Sequence, residues 1–187
     1  NELGYKVSKD EFDKYMKAQK ELAKANAKNV NSMTSQKKVL LDFKDHSEFA
    51  YGIYRVKSKV IAIFSKDELV NSIDHDTYIA VERTCFYAES GGQVSDTGMV
   101  IGNNFKGHVV DVFKGPNGQH IHKVKLLDGI ITVGDEVELI LDKERRKATE
   151  VNHSSVHVTQ YALQQVVSNT IHQAGSYVDS DKLRFDF

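Results

Sequence analysis

Residues 97–126 read TGMVIGNNFKGHVVDVFKGPNGQHIHKVKL. Three runs rich in β-branched and aromatic residues are separated here by Gly102-Asn103-Asn104 and by Gly115-Pro116-Asn117-Gly118. Glycine, proline and asparagine favour turns, because they tolerate or impose the backbone angles that a tight turn requires. Short apolar runs joined by such turns predict neighbouring antiparallel strands.

Similar short runs extend from residue 37 to residue 141. Further breaks are expected at Lys57-Ser58-Lys59 and at Asp128-Gly129, and a short helix is expected near Ser65–Asn71. Many short strands with a turn every ~8–15 residues favour a closed or sandwiched antiparallel sheet over alternating strand–helix units. We expect strands at Val39–Phe43, Phe49–Val56, Val60–Ser65, Tyr78–Arg83, Thr97–Ile101, Gly107–Phe113, His120–Leu126 and Glu136–Leu141.

A helical pattern precedes this region. Over residues 8–29, Ser8 and Glu11 have the spacing of a capping box, and the apolar positions that follow recur at helical intervals. Residues 29–36 are polar and predict a linker.

A second helical pattern follows the strand-rich region, over residues 142–168. Asn152 is a second place in this stretch where a helix could start, because asparagine is a favoured N-cap. Two strands are expected to close the chain, at Ile171–Val178 and Leu183–Phe187. One apolar stripe of the helical stretch is expected to be buried, and its members are Val151, Ser155, Val158, Ala162 and Val166.

These patterns together predict an α+β chain in three parts. Residues 1–36 form a helix and a linker, residues 37–141 an antiparallel β-barrel of the kind found in translation factors, and residues 142–187 the helical and β start of an α/β domain. The chain begins at Asn1 and ends in an alternating pattern that is typical of a strand inside a domain. We therefore interpret it as an internal piece of a longer protein.

The composition limits the classes of protein that fit. The 25 lysines and arginines nearly balance the 26 aspartates and glutamates, so the net charge of −1 gives no overall electrostatic signature of a nucleic-acid binder. One cysteine among 187 residues excludes an intrachain disulfide. The chain contains neither a signal peptide nor the ~18–20 residue apolar run of a membrane span, which predicts a cytoplasmic location. Nothing in the sequence indicates an oligomer.

His153 and His157 are the strongest candidate site residues. Positions i and i+4 of a helix lie on one face, so two imidazoles at this spacing can bind one zinc ion, with further ligands from elsewhere. The alternative is a pair of surface or core histidines without a metal. His120 and His122 share one face of a predicted strand and leave the same choice open between a metal and packing. Cys85 is expected to be a small buried apolar residue.

Two polar segments are further candidates. Gly91 and Gly92 permit positive φ angles and the close approach of a ligand, and Gln93 and Asp96 add hydrogen-bonding groups. The alternative for the glycine pair is a tight hairpin turn. Gln173 is a neutral donor and acceptor suited to an ester or an amino-acid group.

In collinear order, the chain resembles the alanyl-tRNA synthetase family. The resemblance rests on YAESGGQVSDTG at 87–98, NHSSVH at 152–157 and HQAGSYVDSDKLRFDF at 172–187. The opening segment, from Gly4 to Asn29, is similar to the part of that enzyme that follows its tRNA-recognition helices.

The resemblance implies a longer protein that attaches alanine to tRNA(Ala), using ATP and magnesium in a catalytic domain before Asn1. It also implies that the present region contributes to the hydrolysis of tRNA(Ala) wrongly charged with serine or glycine. Such correction has a physical reason, because an apolar pocket rejects an added hydroxyl only ~10²-fold and separates compounds that differ by one methyl by about 1–3 kcal/mol. The expected partner is tRNA(Ala) charged with serine, glycine or alanine.

The resemblance also assigns roles to particular residues. His153 and His157 would be two of four zinc ligands, the others being a cysteine and a histidine beyond Phe187, and zinc would polarise or position the ester and its attacking water. Family members often carry a threonine just before the second histidine, where this chain has Val156. Gly91, Gly92, Gln93 and Gln173 are expected at the catalytic site, and Ser155, Val156 and Asp96 in the substrate pocket.

Three alternatives remain open at this stage. The barrel could be a non-catalytic module that positions RNA, with structural histidines. The chain could belong to a free-standing tRNA-editing hydrolase. A hydrolase like a release factor is suggested by the triplet Gly91-Gly92-Gln93 but is disfavoured by the flanking sequence. With half of the expected ligand set, we expect the chain alone neither to hold zinc tightly nor to deacylate Ser-tRNA(Ala).

Overall fold

The computed structural model describes residues 11–12, 14–17, 36–66 and 68–187. The chain divides into two compact units, residues 1–37 and residues 38–187. Residues 11–12 and 14–17 are helical, within the helix that the sequence predicts over 8–29. The rest of that prediction, and the linker as far as residue 35, lie outside the described residues.

Thirteen strands and two helices follow along the described chain from residue 36. The helices are α1 (Gln36–Asp42) and α2 (Lys143–Val166). The strands are β1 (Glu48–Phe49), β2 (Arg55–Ser65), β3 (Glu68–Val70), β4 (Ser72–Ile73), β5 (Thr77–Val81), β6 (Arg83–Thr84), β7 (Gly98–Gly102), β8 (Phe105–Lys114), β9 (His120–Gly129), β10 (Ile131–Thr132), β11 (Glu136–Leu141), β12 (Gly175–Val178) and β13 (Leu183–Asp186).

Six of these strands close into an antiparallel barrel. Their order is β11-β7-β8-β9-β5-β2, and β11 pairs back onto β2 to complete the ring. Closure is achieved because β2 is long: its first half pairs with β11, and its second half, beyond an irregularity at Val60–Ala62, pairs with β5. The α+β fold with an antiparallel barrel, predicted from the sequence, is confirmed.

The predicted break at Lys57-Ser58-Lys59 was wrong, because β2 runs through it. Lys57 and Lys59 point outward and stand opposite Glu138 and Glu136 of β11, while Val56 between the exposed side chains points inward. Opposite charges on neighbouring strands stabilise the pairing. A local cluster of lysines therefore marks the solvent face of a strand here, not a turn.

The predicted strand Val39–Phe43 was also wrong, because Leu40 lies in α1 and Phe43 just after it. Leu40 and Phe43 are three residues apart and both pack against the outside of the barrel, where the rings of Phe43 and Phe64 are 5.5 Å apart. The side-chain amide of Asn117 donates hydrogen bonds to carbonyl groups at this helix end. The helix is therefore held by contacts from distant residues.

Two further local predictions differ from the structure. Where a short helix was predicted near Ser65–Asn71, the described residues Glu68–Val70 form β3, which pairs antiparallel with the end of β2. Residues 50–54, inside the predicted strand Phe49–Val56, form a turn in which Gly52 has a φ of 79°. This turn carries Tyr51, whose side chain is 78% exposed.

The helix α2 begins directly after the barrel. Asp142 caps it, since its carboxylate accepts a hydrogen bond of 3.0 Å from the backbone N–H of Arg145. The helix does not break at Asn152, whose side-chain amide donates to the carbonyl of Asp179 at 2.9 Å. No helix within the described residues is both long and apolar enough to cross a membrane.

The predicted buried stripe of α2 was wrong. Val151, Val158 and Val166 are 65%, 68% and 84% exposed, whereas the buried residues of the helix are Arg146, Thr149 and Val156. Apolar spacing alone does not say which side of a helix meets a neighbour. In α2, the side that packs against the rest of the protein is the one that carries the buried Arg146.

Candidate functional site

The loop between β6 and β7 contains a tight turn at its middle. Ser90 and Gln93 exchange backbone hydrogen bonds of 3.2 and 3.1 Å. Between them, Gly91 and Gly92 have φ angles of 60° and 82°. Two consecutive positive φ angles characterise a type I′ turn, which glycine adopts without steric cost. The glycine pair therefore forms the tight hairpin turn that the sequence left as an alternative.

A buried ion pair joins this loop to α2. The Arg146 guanidinium donates to the Asp96 carboxylate through Nε, at 2.9 Å to Oδ1, and also through Nη2, and it donates to the Cys85 carbonyl at 3.1 Å. Both side chains of the pair are at least 95% buried. Burial opposes the charge of Arg146, but the hydrogen bonds and the charge of Asp96 outweigh it and raise the arginine pKa. The pair fixes the position of the helix turn that precedes His153.

Neighbouring bonds hold the loop on its other side. The backbone N–H of Tyr87 donates to the Asp96 carboxylate at 2.6 Å, and the Tyr87 hydroxyl donates to the Ser90 carbonyl at 3.1 Å. The Ser95 hydroxyl donates to Asp111 of β8 at 2.6 Å. The loop is thus tied to the barrel, to itself and to α2.

His153 and His157 lie side by side on α2. Their ring centroids are 5.4 Å apart and the ring planes are tilted by 49°. The Nδ1–H of His153 donates a hydrogen bond of 2.7 Å to the side-chain oxygen of Gln93. This bond fixes the His153 tautomer and leaves its Nε2 lone pair available to a ligand.

A cavity of about 430 Å³ opens next to His153. This volume is within the ~300–1,000 Å³ typical of small-molecule sites. The loop, α2 and the turn at residues 50–54 each contribute to its walls. The lining residues are Tyr51, Tyr87, Gln93, Arg146, Glu150, His153 and Ser154.

The hairpin β12–β13 covers the other side of the glycine turn. Val178 donates from its backbone N–H to the Gly92 carbonyl at 2.8 Å, and Val94 donates to the Val178 carbonyl at 3.0 Å. A Cβ on Gly92 would overlap Ser176, so only glycine fits there. The Gln173 side chain donates to the Ser176 hydroxyl at 2.9 Å. Gln173 is thus on the β12 side of the turn and is not among the residues that line the cavity.

The residues expected in the substrate pocket occupy three different environments. Asp96 is buried in its ion pair with Arg146. Val156 is buried in α2, with 3% exposure. Ser155 is half-buried, and its hydroxyl donates to the Val151 carbonyl at 2.9 Å.

The two helix histidines fit half of a zinc site. They supply two imidazole donors from successive turns, and Gln93 provides the kind of outer contact that orients a metal-binding histidine. Within the part of the chain that the structure describes, no group of three or more histidine, cysteine, aspartate or glutamate side chains is placed to hold a metal ion.

The barrel histidines and the cysteine are packing residues. His122 is fully buried and its Nε2 lies 2.8 Å from the Thr84 hydroxyl, while the ring of His120 stacks on Phe49 at 5.4 Å. Burial lowers the pKa of His120 to about 4 and that of His122 to about 3. Cys85 is fully buried in the core, which confirms the prediction for it, and this burial raises the pKa of its thiol to about 11.

A larger cavity, of about 540 Å³, lies elsewhere on the barrel, where β2, β7 and β11 meet. Its charged lining mixes Lys57 and Lys59 with glutamates that stand opposite them in the sheet. It contains no histidine or cysteine, so it offers no candidate for the predicted chemistry.

Sequence reasoning did not name five of the residues that line the cavity: Tyr51, Tyr87, Arg146, Glu150 and Ser154. Arg146 and Glu150 lie seven and three residues before His153, a spacing that puts all three on one helix face. That signal was present in the sequence. No local pattern connects Tyr51 or the Gln93–His153 bond to the helix, because the partners come from distant parts of the chain.

Comparison with known proteins assigns the chain to a family. Residues 1–145 match the model of the family described as tRNA synthetases class II (A). Proteins named alanine–tRNA ligase are similar over almost the whole chain. The relative in Lactobacillus delbrueckii subsp. bulgaricus is 41% identical over 98% of this chain and 21% of its own length. The relative in Lactobacillus gasseri is 42% identical over 100% of this chain and 21% of its own length, and the one in Bacillus cereus 38% over 100% and 22%.

The chain spans about a fifth of the length of these curated relatives. The family match covers the whole barrel and the start of α2, and the similar relatives extend it through the histidine pair and β13. The chain therefore belongs to the family of class II tRNA synthetases (A).

Proposed function

We propose that the chain is part of an alanine–tRNA ligase, which attaches alanine to tRNA(Ala) using ATP and magnesium in a separate catalytic domain. Within that protein, the described site contributes to the hydrolysis of tRNA(Ala) that carries serine or glycine. Support comes from the similarity to alanine–tRNA ligases over almost the whole chain.

One observation carries the hydrolytic part of the proposal. The His153 ring is held by Gln93 at 2.7 Å and lies beside His157 at the edge of a cavity. Two adjacent imidazoles with one tautomer fixed are suited to binding a metal ion or to moving protons at an ester. Zinc supplies Lewis-acid chemistry when bound, polarising or positioning the ester and its attacking water.

The other residues of the site act as supports. Arg146 and Asp96 fix the helix against the loop, and Gly92 lets β12 approach the turn. Gln173, next to Ser176, is the proposed contact for the amino-acid part of the substrate, with Gly91, Gln93, Ser155 and Val156 as further proposed contacts. Asp96, engaged with Arg146, shapes this pocket indirectly.

The test uses the full-length ligase that contains this chain. The variants His153→Asn and His157→Asn are expected to hydrolyse Ser-tRNA(Ala) and Gly-tRNA(Ala) at least ~100-fold more slowly, since losing even an outer contact of a metal ligand typically costs 10–100-fold. Aminoacylation with alanine should stay unchanged, because it depends on another domain. Hydrolysis at the wild-type rate by both variants would refute the editing role.

The same assay distinguishes the main alternative. If this region only positions RNA, the two variants raise the KM for tRNA, or change nothing, and leave the rate of hydrolysis of bound substrate unchanged. Zinc is tested separately on the 187-residue chain by elemental analysis. The chain contains only two of the four expected ligands, so we expect much less than one zinc ion per molecule. Stoichiometric zinc would contradict this expectation.

A further inference from the structure

Asn152 and His153 are successive residues of α2 whose side chains contact different segments. Successive residues of an α-helix point about 100° apart around its axis. The side-chain amide of Asn152 donates to the Asp179 carbonyl at 2.9 Å, whereas the His153 ring donates to the Gln93 side chain at 2.7 Å. These two bonds therefore connect α2 to two parts of the chain that are distant from each other in sequence.

The end of β12 joins these two parts. Val178, its last residue, lies beside Gln93 in a parallel bridge. The backbone N–H of Val178 donates to the Gly92 carbonyl at 2.8 Å, and its carbonyl accepts from the N–H of Val94 at 3.0 Å. Both neighbours of Gln93 in the chain are thus held by β12.

The acceptor of the Asn152 bond has a fixed position. Asp179 opens the turn between β12 and β13, and its carboxylate accepts hydrogen bonds from the N–H groups of Asp181 at 2.7 Å and Lys182 at 2.8 Å. Its own N–H donates to the Lys182 carbonyl at 3.0 Å. Local bonds of this kind stabilise a tight turn, so Asn152 is bonded to a well-defined point of the hairpin.

All of these contacts together form a closed hydrogen-bond circuit. From Asn152 it runs through Asp179 and Val178 to the glycine turn, and from Gln93 it returns to α2 at His153. Its two ends are adjacent residues, so the hairpin and the glycine turn are both held against one turn of α2. A displacement of the hairpin would therefore move Gln93, the acceptor that orients the His153 ring.

We propose that Asn152 is a positioning residue for His153 and acts on it around this circuit, through the hairpin and the glycine turn. The inference rests on the proposed function, in which His153 takes part in hydrolysis. A two-stranded hairpin is only marginally stable by itself, and β12 and β13 form a two-stranded sheet of their own. The bond from Asn152 supplies part of the support that keeps Gln93 in place.

The first measurement is the His153 tautomer in the 187-residue chain, read from the ¹⁵N chemical shifts of the ring. Asn152→Asp keeps the shape of the side chain but replaces the donor by a carboxylate oxygen, which repels the Asp179 carbonyl. The ratio of the Nδ1–H to the Nε2–H tautomer should fall about 2- to 12-fold, the factor for one hydrogen bond of ordinary net strength. Asn152→Ala, which removes the donor without adding a charge, should change the ratio in the same direction.

The second measurement is the hydrolysis of Ser-tRNA(Ala) by the full-length ligase. In Asn152→Asp, kcat should fall by a similar factor, because the imidazole is correctly oriented for a smaller part of the time. The KM for the tRNA should stay unchanged, since the proposed role of Asn152 is exerted on His153 and not on the substrate.

Gln164→Glu is the matched control variant. Gln164 also lies on α2, and its side-chain amide donates to the Ile171 carbonyl at 2.8 Å, but this bond is not part of the circuit. Its loss should leave the tautomer ratio and kcat as in the wild type. Equal changes of the His153 signals in Gln164→Glu and Asn152→Asp would overturn the inference, because any loosened contact of α2 would then disturb His153.

A double variant separates the circuit from a direct effect of Asn152 on its neighbour in the chain. Asn152→Asp added to Gln93→Leu should not change the His153 signals any further, because the circuit is already broken at Gln93. A further change as large as in the wild-type background would overturn the inference, and so would a wild-type tautomer ratio in both Asn152 variants. A shifted ratio in a chain whose full-length wild type does not hydrolyse Ser-tRNA(Ala) would instead count against the proposed function alone.

Discussion

The side-chain oxygen of Gln93 lies 2.7 Å from Nδ1 of His153, across sixty residues of sequence. Gln93 is 8% exposed and directly follows the glycine turn, whereas His153 projects from the middle of α2. The bond therefore transmits the conformation of the turn to the orientation of the imidazole. Because β12 is also hydrogen-bonded to the turn, the turn connects β12 to the histidine pair.

Replacing Gln93 by leucine should release His153 while keeping the volume of the side chain. Without the acceptor, the imidazole loses its preference for the Nδ1–H tautomer, and hydrolysis of Ser-tRNA(Ala) by the full-length ligase should fall about 10- to 100-fold. The tautomer is read from the ¹⁵N chemical shifts of the His153 ring.

The matched control for this variant is Gln165→Leu, an exposed position on α2, the helix that carries His153. It should change neither the tautomer nor the rate. A Gln93→Leu protein with the wild-type His153 spectrum and wild-type hydrolysis would show that the 2.7 Å contact has no orienting role.

The two glycines of the turn should differ in their tolerance of alanine. At Gly91 a Cβ meets open space, so Gly91→Ala should cost only the strain of a positive φ, about 1–2 kcal/mol. At Gly92 a Cβ would also overlap Ser176, which should cost about 1–3 kcal/mol more. Urea unfolding of both variants measures the difference, and equal losses would argue against close packing of β12 on the turn.

Breaking the Asp96–Arg146 pair should be the most destabilising change at the site. Arg146→Met leaves the Asp96 carboxylate buried without its partner, so the free energy of unfolding should fall by about 3–5 kcal/mol. Adding Asp96→Asn to this variant removes the stranded charge and should restore part of the loss. The double-mutant cycle is measured by chemical denaturation, and purely additive losses would disagree with a coupled pair.

Stability should decline in mild acid because His122 is buried, and the buried His120 acts in the same direction. Burial holds the pKa of His122 near 3 in the folded chain, against about 6.5 when it is exposed. Between these values the unfolded chain binds more protons, so the free energy of unfolding falls as the pH decreases from 6.5 toward 3.

The slope of this decline identifies the residue. His122→Asn should reduce the slope by about one proton, or roughly 1.4 kcal/mol per pH unit in the middle of the window. An identical slope in His122→Asn and in the wild type would mean that this histidine is not neutral in the folded state.

The sequence predicted the barrel better than the elements around it. Alternating apolar runs and glycine-rich turns, as at Gly115–Gly118, indicate a local preference for strands and hairpins, and the closed sheet has the same local structure. Lys57 and Lys59 misled the prediction, because their exposure depends on their partners in β11. The strand predicted at Val39–Phe43 failed for a similar reason, since the end of α1 is stabilised by Asn117, which lies between β8 and β9 and is distant in the sequence.

At the candidate site, too, local features could be predicted from the sequence and contacts between distant segments could not. The spacing of His153 and His157 is a local property of a helix, so it could be interpreted from the sequence. The bond of His153 to Gln93 and the pairing of Arg146 with Asp96 join segments at least fifty residues apart, and Tyr51 reaches the same cavity from a third segment. Only the closed barrel brings these segments together.

Val156 provides the last test, which concerns selectivity. Its side chain is buried, and Val156 directly precedes His157, at the position where the resemblance implies that family members often carry a threonine. In Val156→Thr the hydroxyl can bond to the carbonyl four residues earlier in α2, so the loss of stability should be only about 1 kcal/mol. If position 156 contacts the amino acid, the full-length variant should hydrolyse Ser-tRNA(Ala) faster relative to Gly-tRNA(Ala), by about 5- to 10-fold for one added hydrogen bond. An unchanged ratio in a stably folded variant would mean that Val156 packs the helix and does not select the substrate.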